Sequence, residues 1–134
     1  MKRMIVNADD FGFSEAVNHG ILKAMQEGIV TSTSIMANMP GFAHAVQLYH
    51  EYPDMDMAVG VHLNLTCYRP LLSTHKTLVT ETGYFHKQDD VAGYSESEMY
   101  EELKAQIAVF LRMVFGLIIW ILITTFIQLK SCRR

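Results

Sequence analysis

Short apolar runs alternate along the first hundred residues with longer stretches in which apolar side chains recur every third or fourth position. Met4-Ile5-Val6 stops at Asn7, as a buried parallel strand does, so its C-terminal end delivers Asp9 and Asp10. Ser14 then precedes Glu15, and Val17, Ile21, Leu22 and Met25 keep helical spacing up to Gly28, which predicts a helix of about four turns. Residues 29–36 (IVTSTSIM) are β-branched or small and predict a second strand, ending near Asn38-Met39-Pro40-Gly41. A second helix follows over 42–52, with Phe42, Ala45, Val46, Leu48 and Tyr49 on one face and Pro53 closing it. Residues 57–63 form a third strand with His62 at its end, followed by Asn64 and Thr66.

Residues 67–94 lack clear periodicity and hold Pro70, Gly83 and Gly93, so they read as a long loop or lid with a hairpin around 77–85. Ser95-Glu96-Ser97-Glu98 is a helix start, and Met99, Leu103, Ile107 and Phe110 continue it as an apolar stripe through Leu111. Repeated strand–helix alternation predicts an α/β fold of parallel βαβ units, in which catalytic groups gather at the C-terminal ends of the strands.

Composition narrows this picture. The 134 residues allow one domain at most, and 50% hydrophobic content excludes a disordered chain. A formal charge of −3 gives no footprint for nucleic acid, and two cysteines, Cys67 and Cys132, exclude a disulfide scaffold or a cysteine zinc site. The polar residues that follow Val6 leave no room for the apolar core of a signal peptide, so a cytoplasmic protein is expected. The charge is unevenly spread: residues 1–112 carry 8 basic and 14 acidic side chains, a net of −6. Residues 113–134 carry only Lys130, Arg133 and Arg134, behind an uncharged run over 113–129. The chain therefore divides into 1–112 and a hydrophobic tail, 113–134.

Adjacent carboxylates at a strand end suit two tasks, one binding a metal and the other accepting a proton, although the same pair serves equally as a helix cap or turn. His62 ends its own strand on the side of Asp10, and a carboxylate meeting an imidazole there makes a partial metal site. A hydrogen-bonded structural histidine is the alternative, and no third ligand is evident. His19 belongs to the first helix, His44 and His50 to different faces of the second, and His75 and His86 to the long loop, facing substrate or water. No histidine follows His86. The methionines read as core filler. Dinucleotide, Walker and nucleophile-elbow motifs are lacking, and so is H-E-x-x-H.

Three blocks in order, Asn7-Ala8-Asp9-Asp10-Phe11-Gly12, Thr31-Ser32-Thr33-Ser34-Ile35-Met36-Ala37-Asn38-Met39-Pro40 and Val59-Gly60-Val61-His62-Leu63-Asn64-Leu65-Thr66, resemble the YdjC family of carbohydrate deacetylases, the chitooligosaccharide deacetylase group. The resemblance covers residues 2–112, including Arg69-Pro70-Leu71-Leu72 and the Gly83-Tyr84-Phe85 turn. It implies the first half of a (β/α)-barrel-like fold that removes the acetyl group from N-acetylated amino sugars with a divalent metal, magnesium first and zinc second. By the same resemblance Asp9 is the general base that activates the attacking water, and Asp10 and His62 hold the metal. Asn64 and Thr66 help orient the ligand shell, and Asn64, Thr66 and His86 are the weaker candidates for touching substrate. Family members continue, after a helix like the one starting at Ser95, into a strand ending in a histidine-rich segment that supplies another metal ligand and the general acid.

Here that place is taken by residues 113–129, without His, Asp or Glu. The run spans ~25 Å as a helix, the lower edge for a membrane of ~30 Å hydrocarbon. Contact with a membrane follows only if this segment is genuine, and its trailing positive charges would leave the acidic domain outside. A buried strand or helix is a second reading. A reading-frame change near Arg112, giving a poorly soluble chain with little or no turnover, is the expectation that accounts for the composition break. The rival is a non-catalytic membrane-associated or sugar-binding fragment. The exposed sheet edges of half a barrel also invite self-association, a homodimer in the simplest case.

Overall fold

The structure is a computed structural model that describes residues 4–55 and 57–131; for Ala92 and residues 114–131 the description stops at the backbone. The elements run β1 (Asn7–Phe11), α1 (Glu15–Gln26), β2 (Ser32–Ile35), α2 (Phe42–Glu51), β3 (Ala58–Val61) and α3 (Glu96–Ser131), with 3-10 turns at Pro53–Met55 and Gln88–Gly93. The strands form one parallel sheet in the order β1-β2-β3. Each strand is added beside its predecessor without reversal of direction or order, as in the opening strands of a (β/α) barrel.

One face of the sheet is covered. Phe11 and Ile35 project from it against Ile21 and Leu22 of α1, Ala45 and Leu48 of α2 and Met113 of α3, with Val17, Phe42, Val59 and Phe110 at the margin. Ser14 caps α1 by accepting the Val17 N–H at 3.3 Å, as the sequence predicts. The other face carries Asn7, Asp9, Ser32 and Ser34, none of them buried. Strand alternation therefore separates an apolar, helix-covered side from a polar, open one.

The first strand lies three residues downstream of the apolar run that predicted it, and Met4 and Ile5 are exposed. Pairing decides the register: Val6 O accepts the N–H groups of Thr31 and Ser32, and the ladder with β2 begins only at Asn7 and Ser32. The second strand is likewise shorter than its apolar run, leaving Ile29 exposed.

The two loops at the C-terminal ends of β1 and β2 are locked together. Asn18, fully buried, accepts the Gly12 N–H at 2.6 Å and donates to Gly41 O at 2.9 Å. Gly12 has φ +94°, and a Cβ at Gly41 would stand 2.7 Å from the backbone of Ser14. Gly41→Ala must push two backbones apart, so a loss of about 1–3 kcal/mol in urea-unfolding stability is expected. An unchanged midpoint would show that this contact yields freely.

Residues 67–94 are packed down rather than free. Leu78, Phe85 and Tyr94 are buried together against Leu65, Val79 and Met99. The predicted hairpin exists as one antiparallel bridge, Val79 to Phe85, closed by Thr80 N–H donating to Tyr84 O at 2.8 Å.

Candidate active site

In a regular strand Asp9 and Asp10 would point to opposite faces. Here Ala8 pairs with Thr33 but Phe11 pairs with Ile35, so β1 carries one extra residue across this step. The extra residue is Asp10, at φ 69°, a left-handed conformation that Asp tolerates better than most side chains. The bulge turns its carboxylate toward β3 while Asp9 stays on the open face.

His62 follows β3 directly, and its N–H extends the sheet ladder by donating to Ile35 O at 2.9 Å. Its Nδ1 lies 3.3 Å from Asp10 Oδ1 and accepts the Asp10 N–H at 3.4 Å. Residues 52 positions apart, on strands separated by β2, thus meet at the end of the sheet where the strands terminate. Asp9 is held separately: its Oδ1 accepts from Asn7 Nδ2 and from Ser34 Oγ, each at 2.7 Å. The Ser34 hydroxyl above all, then the Asn7 amide and the nearby His62, keep the Asp9 carboxyl below its ordinary value, against the opposing push of desolvation. Asp9 is an ionised acceptor at neutral pH.

The Asp10–His62 pair suits a divalent cation chemically, since it joins a hard oxygen donor to an imidazole. Two donors each about 2.1 Å from a shared cation stand about 3.0 Å apart at a right angle and about 3.4 Å at a tetrahedral one. The observed 3.3 Å falls in that interval. Among the described residues no cluster of three or more His, Cys, Asp or Glu side chains assembles, so the pair is a two-point site.

The weaker candidates lie elsewhere. Asn64 is buried and bonded to Asn38 Oδ1, to Cys67 O and to the N–H groups of Thr66 and Cys67, which makes it the organiser of the turn after His62. Thr66 is exposed, and His86 is half-buried with its ring 6.1 Å from that of Tyr94. None of the three has a hydrogen bond to Asp9, Asp10 or His62 among the described residues.

A row of polar side chains on α3 is the feature the apolar stripe concealed. Glu98, Glu102 and Gln106 share one face of the helix, and the last two are fully buried, whereas Ile107, expected inside, is exposed. Glu102 accepts the N–H groups of Leu71 and Leu72 and faces His75 Nε2 at 3.1 Å. His75 is therefore a buried structural residue and does not face substrate or water. Glu98 accepts from the Thr77 hydroxyl at 2.7 Å and from the N–H groups of Thr77 and Lys76.

The Thr77 hydroxyl first, then these backbone donors, lower the Glu98 carboxyl from 4.5 to about 2. A depressed folded-state value means that the stability Glu98 lends is complete above about 4.5 and is lost as pH falls toward about 2. Urea midpoints measured across that interval are expected to fall, and to fall less steeply in Glu98→Gln. Identical pH profiles would contradict the anchoring role.

These features define the opening strands of a barrel-like α/β protein with a carboxylate–imidazole pair at their C-terminal ends. The YdjC-like protein family matches residues 3–119, and the chain belongs to it. It is 46% identical over 114 residues to a carbohydrate deacetylase of Geobacillus stearothermophilus, covering 84% of this chain and 44% of that protein. A carbohydrate deacetylase of Brevibacillus brevis is 45% identical over 109 residues, covering 81% and 43%. A solved structure described as a cellobiose-phosphate cleavage protein, from Enterococcus faecalis, superposes with a TM-score of 0.75 at 38% identity, over 81% of this chain and 43% of that one. The chain thus spans less than half the length of these relatives. The division at residue 112 and the readings of the hydrophobic tail fall, beyond Met113, outside the residues whose side chains are described. Among the residues whose side chains are described, no helix is long and apolar enough to cross a membrane.

Proposed function

We propose that this chain carries part of the active site of a metal-dependent carbohydrate deacetylase acting on N-acetylated amino sugars or chitooligosaccharides, with Asp10 and His62 as metal ligands and Asp9 as general base. The observation that carries the reading is the convergence of Asp10 and His62 at 3.3 Å across β2, and the carbohydrate deacetylases among the relatives support the substrate class. A bound divalent cation, magnesium or zinc, supplies a Lewis acid for the amide carbonyl and lowers the pKa of water. Asp9, ionised and fixed through Oδ1 alone, offers Oδ2 to the proton of the attacking water. The bulge at Asp10 directs the two carboxylates to these separate tasks.

The test is a titration of the purified chain with Mn2+, followed by electron paramagnetic resonance. His62→Ala is expected to weaken binding by about tenfold or more, whereas Asp9→Asn changes it little. Equal affinity in His62→Ala and the parent chain overturns the ligand assignment. With two ligands on the described part of the chain, acetate release from an N-acetylated chito-disaccharide is expected to be slow or nil.

A further inference from the structure

The imidazole of His62 sits on a segment that has just left the sheet, and its own N–H makes one bond to β2. Two residues later the chain is gripped by a single side chain from α3. Gln106 Oε1 accepts the Asn64 N–H at 2.9 Å, and Gln106 Nε2 donates to the Asn64 carbonyl at 2.7 Å. A primary amide carries one donor side and one acceptor side, so it pairs with both backbone groups of one residue much as a neighbouring strand would. Gln106 is fully buried, and its Nε2 also donates to Glu102 Oε1 at 2.8 Å. A flipped amide would set its oxygen against that carboxylate and its nitrogen against the Asn64 N–H, so the orientation is fixed.

We propose that Gln106 is a positioning residue for His62: the two-point clamp on Asn64 sets where the imidazole stands relative to Asp10. This rests on the reading that Asp10 and His62 share a cation, but the clamp has a consequence of its own. A carboxylate at this position could accept but not donate, and a thioether could accept only weakly and not donate. Either leaves the Asn64 carbonyl without its partner and frees the segment that begins at His62.

The full chain with Gln106→Met tests this, with Gln106→Asn as the milder variant should the first fail to fold. Ile21→Val, a core change remote from the site, controls for lost stability. Amide hydrogen exchange at His62 and Asn64 is expected to accelerate about tenfold or more in the Gln106 variants, while exchange at Ala45 and Leu48 follows global stability as in Ile21→Val. Mn2+ affinity is expected to drop about tenfold in the Gln106 variants and to stay unchanged in Ile21→Val. Unaltered local exchange at His62 overturns the proposal, as does an affinity that merely tracks stability across all variants. If His62→Ala leaves Mn2+ binding intact, the cation reading fails, and the exchange data alone decide whether Gln106 holds the segment.

Discussion

Glu102→Ala is expected to cost about 3–5 kcal/mol, enough to remove most of the stability of a domain whose total is about 5–15 kcal/mol. The carboxylate is fully buried and meets four donors: the N–H groups of Leu71 and Leu72, His75 Nε2 and Gln106 Nε2, at 2.8–3.1 Å. Truncation takes the acceptor from the N–H groups of Leu71 and Leu72, from His75 Nε2 and from one of the two N–H groups of Gln106 Nε2, and opens a cavity beside them; such unmet donors cost more than the charged bonds contributed. Glu102→Gln keeps the volume but turns an NH2 toward donors, so an intermediate loss of about 1–3 kcal/mol is expected. Urea unfolding followed by circular dichroism measures both. A Glu102→Ala protein within about 1 kcal/mol of the parent would mean that water enters and replaces the carboxylate.

The second large effect separates binding from folding at Asp10. Its φ of 69° disfavours branched and bulky side chains and is tolerated by Asn and Gly. Asp10→Asn preserves the bulge and the shape but removes the charge, so stability is expected within about 0.5 kcal/mol of the parent while Mn2+ affinity falls by up to about a hundredfold. Asp10→Gly loses the affinity too. It is expected to be no less stable than the parent, because relief of about 1 kcal/mol of strain offsets the added freedom of the unfolded chain. Asp10→Val should destabilise, since a β-branched side chain resists this conformation. Calorimetric unfolding alongside the Mn2+ titration checks the set; undiminished affinity in Asp10→Asn would assign Asp10 to orienting His62 alone.

Periodicity made the helices legible, since Val17, Ile21 and Leu22, or Ala45 and Leu48, meet the sheet as their spacing predicts. The parallel direction of the strands and the meeting of Asp10 with His62 at their ends were legible too, because parallel topology collects strand termini. The start of β1 was not, since Asn7 and Asp9 belong to a polar sheet face whose partners are Ser32 and Ser34, and hydropathy carries no signal for such pairing. The bulge was hidden for a similar reason: an extra residue in a strand appears only against its neighbour. Glu102 and Gln106 carry no such signal either, because a helix facing a loop buries what satisfies the loop's N–H and C=O groups, and those requirements arise in the tertiary structure. A Glu at i with a Gln at i+4 flanked by apolar residues was the one available hint.

The strand order carries a consequence for synthesis. Every described rung of the sheet joins residues about 25 positions apart, Asn7 to Ser32 and Ser32 to Ala58 among them. A nascent polypeptide leaving the ribosome can therefore complete each βαβ unit as it emerges, the earlier strand serving as template for the next. On that route the apolar side of the sheet is shielded by α1 and α2 well before α3 arrives. The edge awaiting its next neighbour is then β3, and it is there that Gln106 closes on the backbone of Asn64.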